Sequence, residues 1–82
     1  MKADIEAICQ RRDVKILSYK ESGDIVEIQV KGRSRQAVSE ILDDMMAAGI
    51  LKDLFNDEMK YSAFMERGQM VHVAYYKMRA SK

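Results

Sequence analysis

Residues 34 to 51 read SRQAVSEILDDMMAAGIL, and they place a helix at the centre of the chain with both of its ends marked. Val38, Ile41, Leu42 and Met45 fall at the three-and-four spacing of an apolar stripe that faces a core. Ser34 can cap the start by accepting a hydrogen bond from a free first-turn amide. Gly49 can take the left-handed conformation just past the end, with Ile50 folding back on Met45. Such a helix must cover something. The stretches on either side of it alternate with period two, which is the habit of strands.

Upstream, Asp24 to Lys31 sets Val26, Ile28 and Val30 against Glu27, Gln29 and Lys31, a strand with one apolar face. Val14 to Glu21 reads as its neighbour, and Lys20-Glu21-Ser22-Gly23-Asp24 fits a type I turn closed by a left-handed glycine. With Lys20 pairing Asp24, the face Val14, Ile16 and Ser18 joins Val26, Ile28 and Val30. The face Lys15, Leu17 and Tyr19 joins Ile25, Glu27 and Gln29. Ala3 to Arg12 reads as a short first helix with Ile5, Ile8 and Cys9 on one side.

Downstream, Lys52 to Glu58 fits either a continuation of the helix or a short strand beginning at Ile50. Met65-Glu66-Arg67-Gly68-Gln69 then repeats the shape of the first turn, and Val71-His72-Val73-Ala74-Tyr75 repeats the alternation of the earlier strand. The chain is therefore helix-strand-strand twice over. The reading is a single α+β domain over residues 1–82: a ferredoxin-like four-stranded antiparallel sheet with two helices on one face. Its expected core is Val26, Ile28, Val30, Ile41, Leu42, Met45, Val71 and Val73.

Charge and chemistry narrow the function. Fourteen basic residues against thirteen acidic ones give net +1, which supplies no global drive towards nucleic acid or anionic membrane. No apolar run approaches the roughly 18 residues of a membrane span, and residues 1–12 lack the apolar centre of a signal peptide, so a soluble chain is expected. Lone Cys9 reads as a small buried hydrophobe, and lone His72 as an exposed residue on an outer strand face. No phosphate loop or nucleophile elbow is present, so no enzyme, cofactor or metal is expected. Lys31, Arg33 and Arg35 crowd the start of the central helix, where a helix favours anions, and form the candidate anion site.

The order of elements, with Ala7 to Lys31 (AICQRRDVKILSYKESGDIVEIQVK), the helix Val38 to Met45 and a closing strand from Val71 to Met78, resembles a known set of periplasmic domains. These are the ferredoxin-like domains of the type II secretion protein M and type IV pilus protein O families, and the C-terminal domain of secretion protein L. The resemblance implies a non-enzymatic assembly module that dimerises or pairs with a homologous domain, and a periplasmic location. Those proteins carry a membrane helix upstream, so the chain would be an excised domain or a soluble relative, and without the resemblance a cytoplasmic one. Ser34-Arg35-Gln36-Ala37-Val38-Ser39, Ile41-Leu42 and Ala48-Gly49-Ile50-Leu51 are also similar to the recognition helix and turn of winged helix-turn-helix domains. That resemblance implies DNA binding through Ser34, Arg35, Gln36 and Ser39, and it requires a helix where residues 24 to 31 read as a strand.

Protein binding, with self-association, is the function expected here, and nucleic-acid binding is its alternative. With Met65 pairing Gln69, Tyr61, Ala63, Val71, Val73 and Tyr75 would face the helices. Leu17, Tyr19, Ile25, Phe64 and Met70, with Tyr76 nearby, would then lie on the open sheet face as the partner-binding patch.

Overall fold

The computed structural model describes residues 1–81. In chain order it contains α1 (Lys2–Arg11), β1 (Lys15–Ser22), β2 (Ile25–Gly32), α2 (Arg35–Ala47), β3 (Leu51–Leu54), a short 3-10 helix (Asn56–Glu58), β4 (Lys60–Glu66) and β5 (Gln69–Ala80). The fold is α+β, with two helices and a five-stranded antiparallel sheet.

α2 ends as its sequence dictates. The Ser34 hydroxyl accepts from the Ala37 amide at 3.0 Å. Gly49 stands at φ +73°, and its amide donates to Met46 O at 3.0 Å while that of Ile50 donates to Met45 O at 2.9 Å. Those two bonds are the Schellman pattern, and they turn the chain into β3. α1 closes the same way without a glycine: Asp13 takes φ +56°, and Val14 N donates to Cys9 O at 2.9 Å. The Arg12 guanidinium then joins the helices, giving two hydrogen bonds of 2.9 and 3.0 Å to the Asp44 carboxylate and a third to Glu40.

β5 is the spine of the sheet. It pairs with β2 along one side, and along the other with β3 at its C-terminal end and β4 at its N-terminal end. The undecided segment after α2 is thus a strand and then a 3-10 turn, and β3 and β4 share one flank of β5. Residues 25–32 are strand throughout, where the helix-turn-helix resemblance needs a helix.

Both hairpin turns are one residue tighter than the sequence reading. Ser22 pairs with Ile25 around Gly23 (φ +62°) and Asp24, and Glu66 pairs with Gln69 around Arg67 (φ +52°) and Gly68 (φ +79°), the sign pattern of a type I′ turn. In the first hairpin a bulge between Ile16 and Ser18 absorbs the change, so Ile16 still shares a face with Val30, but Tyr19 now sits opposite Ile28 on the helix side. The second hairpin has no bulge, and β5 is inverted relative to expectation. Ala74, Tyr76 and Met78 face the helices opposite Val30, Ile28 and Val26, while Val71, Val73 and Tyr75 face away.

The core joins Ile5, Ile8 and Cys9 of α1, Val38, Ile41 and Met45 of α2, and Val26, Ile28, Val30, Tyr76 and Met78 of the sheet. Leu42 is only partly buried against it, and Val73 lies on the far face, half-buried. Tyr76 and Met78 explain the inversion. They are 3 and 0% exposed beneath the helices, where burial of a large apolar side chain is worth roughly 1.5 to 3 kcal/mol. Gly32 completes the layer by absence of a side chain: a Cβ there would lie 2.8 Å from Val38 Cγ1 and 3.4 Å from Val14 Cγ2.

Candidate protein-binding surface

α1 and α2 cover one face of β1, β2, β3 and the C-terminal half of β5, and their packed contacts stop short of β4. The β4–β5 hairpin consequently projects past the helical layer. All seven residues of β4 are exposed, although they include Tyr61, Phe64 and Met65. Cross-strand pairing sorts them by face. Tyr61 opposite Ala74, Ala63 opposite His72 and Met65 opposite Met70 lie on the helix side; Ser62 opposite Val73 and Phe64 opposite Val71 lie on the other. Tyr61, Phe64, Met65 and Met70 are 41, 44, 60 and 48% exposed. Both faces of the hairpin therefore offer apolar surface, and β4 also offers a free edge.

The residues expected to form one patch are distributed otherwise. Tyr76 is only 3% exposed and donates its hydroxyl hydrogen to Val38 O at 2.6 Å, so it belongs to the core. Tyr19 lies on the helix side with Lys2 Nζ 5.6 Å from its ring centre and its hydroxyl 2.6 Å from Glu21. Met70 is on the helix side of the hairpin, not beside Phe64. Leu17 is exposed at the β1 bulge. Ile25 and Phe64 do share the open face, but Ile25 pairs with Arg79 at one end of β5 and Phe64 with Val71 towards the other. Sequence reasoning omitted Met65 and placed Tyr61 beneath the helices. The available signal was KYSAFME itself, whose apolar residues occupy both parities.

Lys31, Arg33 and Arg35 are each engaged with a different neighbour. Lys31 Nζ lies 2.7 Å from Glu66, Arg33 Nε 3.8 Å from Asp13, and the Arg35 guanidinium 4.9 Å from the centre of the Tyr61 ring. The Lys31 hydrogen bond holds the Glu66 carboxyl below the usual carboxylate range. In register, Lys31 sits beside Val73 and Glu66 beside Gln69, so their bridge arches over the intervening Val71. That accounts for the burial of a valine on a face without helices. At the other end of the open face, Lys77 and Arg79 stand 5.3 and 5.7 Å from the Phe55 ring centre. The Tyr75 hydroxyl donates to Glu27, which pushes its pKa up to about 12.

The groups with chemical potential are quiet. Burial pushes the Cys9 thiol up to about 11, leaving it protonated and unreactive at neutral pH. His72 is not on the open face but on the helix side of the hairpin, stacked on Tyr61 with ring centres 5.9 Å apart and its Nδ1 hydrogen-bonded to the Tyr61 hydroxyl. Among the described residues, no group of three or more His, Cys, Asp or Glu side chains is placed to hold a metal ion.

The two edges of the sheet differ. β1 is broken by its bulge and lined with Lys15, Lys20 and Glu21, two devices that discourage a further strand. β4 runs in unbroken register from Lys60 to Glu66 without bulge or proline. Neither a protein-family model nor a curated protein sequence matches the chain.

Proposed function

We propose that this chain is a protein-binding module whose contact surface is the β4–β5 hairpin: the free edge of β4, with Tyr61, Met65 and Met70 on one side and Phe64 on the other. The observation that supports it is the exposure of every residue of β4 beside an edge with neither bulge nor proline, whose charges stand only at its two ends. A flat, unbulged edge is a template for pairing, and exposed aromatic and methionine side chains supply anchors. The reading includes the ferredoxin-like arrangement, with β3 and β4 acting as one interrupted strand so that the sheet has four positions in the order β1, β2, β5, β3/β4. It also includes the assembly-platform setting of the secretion and pilus domains, where such modules pair with themselves or a homologous domain. The order of elements and the open edge support that setting. The helix-turn-helix alternative draws no comparable support, since Ser34 is engaged as a cap, Gln36 donates to Glu40 and Arg35 lies on Tyr61.

The test is site-specific photocrosslinking in cells with a photoreactive phenylalanine replacing Phe64 or, on the opposite edge, Lys20. Protein adducts from the first position and none from the second are expected. Equal adducts from both, or none from position 64, would refute the surface.

A further inference from the structure

We infer that the occupant of the β4 edge is a second copy of this chain, paired antiparallel through β4 about a two-fold axis at Ala63; the inference rests on the protein-binding reading above. In a two-residue hairpin the residues flanking the turn exchange hydrogen bonds, so Glu66 bonds to Gln69. Alternation then turns the amides and carbonyls of Phe64, Ser62 and Lys60 inward to β5, and those of Tyr61, Ala63 and Met65 outward.

A two-fold axis normal to the sheet can fall only on a residue position, because paired residues must share a face. Centred on Ala63, it sets Ala63 against its own counterpart, Tyr61 against Met65, Ser62 against Phe64, and Lys60 against Glu66. Every residue of β4 is then paired. Each end of the ladder carries opposite charges, and each half sets an aromatic ring beside a thioether. Moving the axis to Ser62 sets Lys60 against Phe64, and moving it to Phe64 sets Glu66 against Ser62. Either shift leaves two residues of each strand without a partner and both charge pairs unmade. Lys60 and Glu66 therefore select the register, and Glu66 retains one carboxylate oxygen for the new pair beside the one held by Lys31.

Sedimentation of the purified chain and its charge variants tests this. The unmodified chain should dimerise from a monomer of 9.5 kDa. Lys60→Glu alone, or Glu66→Lys alone, places like charges at both ends of the ladder and should weaken dimerisation by at least about tenfold. An equimolar mixture of the two variants regains both opposite pairs and should restore the dimer. Under oxidation Ala63→Cys should give a disulfide-linked dimer and Ser62→Cys should not, because only position 63 meets itself at bridging distance. A monomer at millimolar concentration, undiminished dimerisation of the single variants, failure of the mixture to recover, or equal cross-linking at positions 62 and 63 would overturn the inference. If the photoadducts at position 64 contain a different protein while the chain is monomeric, this inference falls and the protein-binding surface stands. If position 64 gives no adducts, both fall.

Discussion

Tyr76 of β5 reaches through the core to give its hydroxyl hydrogen to the carbonyl of Val38 in the first turns of α2, at 2.6 Å. The pair ties the central strand to the helix that covers it. Tyr76→Phe keeps the packing and loses the bond, so it should cost about 1 kcal/mol, whereas Tyr76→Ala should cost roughly 3 to 5 kcal/mol. Urea titrations of the two variants check the split. A Tyr76→Phe variant as stable as the parent would mean that the hydroxyl contributes nothing, and equal losses in the two variants that the ring contributes nothing.

Gly32 supports the same helix from below. A methyl group at that position meets Val38 Cγ1 at 2.8 Å, and Val38 is a fully buried, β-branched side chain with no room to turn. Gly32→Ala should therefore destabilise by about 1 to 3 kcal/mol. In a Val38→Ala background the same substitution should cost less, a coupling that a double-mutant cycle reads directly.

How far the sequence was legible follows from such pairs. α2 was readable because Ser34, Gly49 and the stripe Val38, Ile41, Leu42 and Met45 are local signals, and all act as expected except Leu42, which is only partly buried. The face of β5 was not. Gln69 to Ala80 carries apolar residues at both parities, so alternation cannot choose between Val71-Val73-Tyr75 and Ala74-Tyr76-Met78. The choice falls to β2, whose Val26, Ile28 and Val30 accept Met78, Tyr76 and Ala74. One residue in each turn decided the rest, and an arginine at φ +52° is not a signal that composition offers. The proposed surface was half legible: Phe64 was placed on the open face, but the projection of β4 beyond the helices depends on how the elements stack.

Arg67 holds a positive φ that suits asparagine far better. Arg67→Asn should raise stability by up to about 1 kcal/mol, since the left-handed conformation costs most side chains roughly that much. Thermal melting of the variant measures it. An unchanged or lower melting temperature would mean that the turn is not held in this geometry.

Two carboxylates contribute to the dependence of stability on acid. Arg12 holds Asp44, and Lys31 holds Glu66, below their ordinary values. Each folded value lies below its unfolded one, near 3.9 for Asp and 4.3 for Glu. The corresponding stability is therefore complete above about pH 5 and is lost as pH falls through the folded values. In Arg12→Gln and Lys31→Gln variants the decline of stability below pH 5 should be shallower, as followed by urea midpoints across a pH series.

The position of β5 between β2 and the β3/β4 flank also governs when the domain can form. It is the last of the five strands in chain order, and its partners include residues as distant as Ile25, which pairs with Arg79. During synthesis, β2, β3 and β4 wait for it with their inner edges unsatisfied. A chain truncated after Glu66 should hold little more than two helices and the first hairpin, open to proteases and to capture by chaperones. Only release of the next dozen or so residues lets the sheet close. The long sequence separations then make that closure slower than in a helical bundle of equal size.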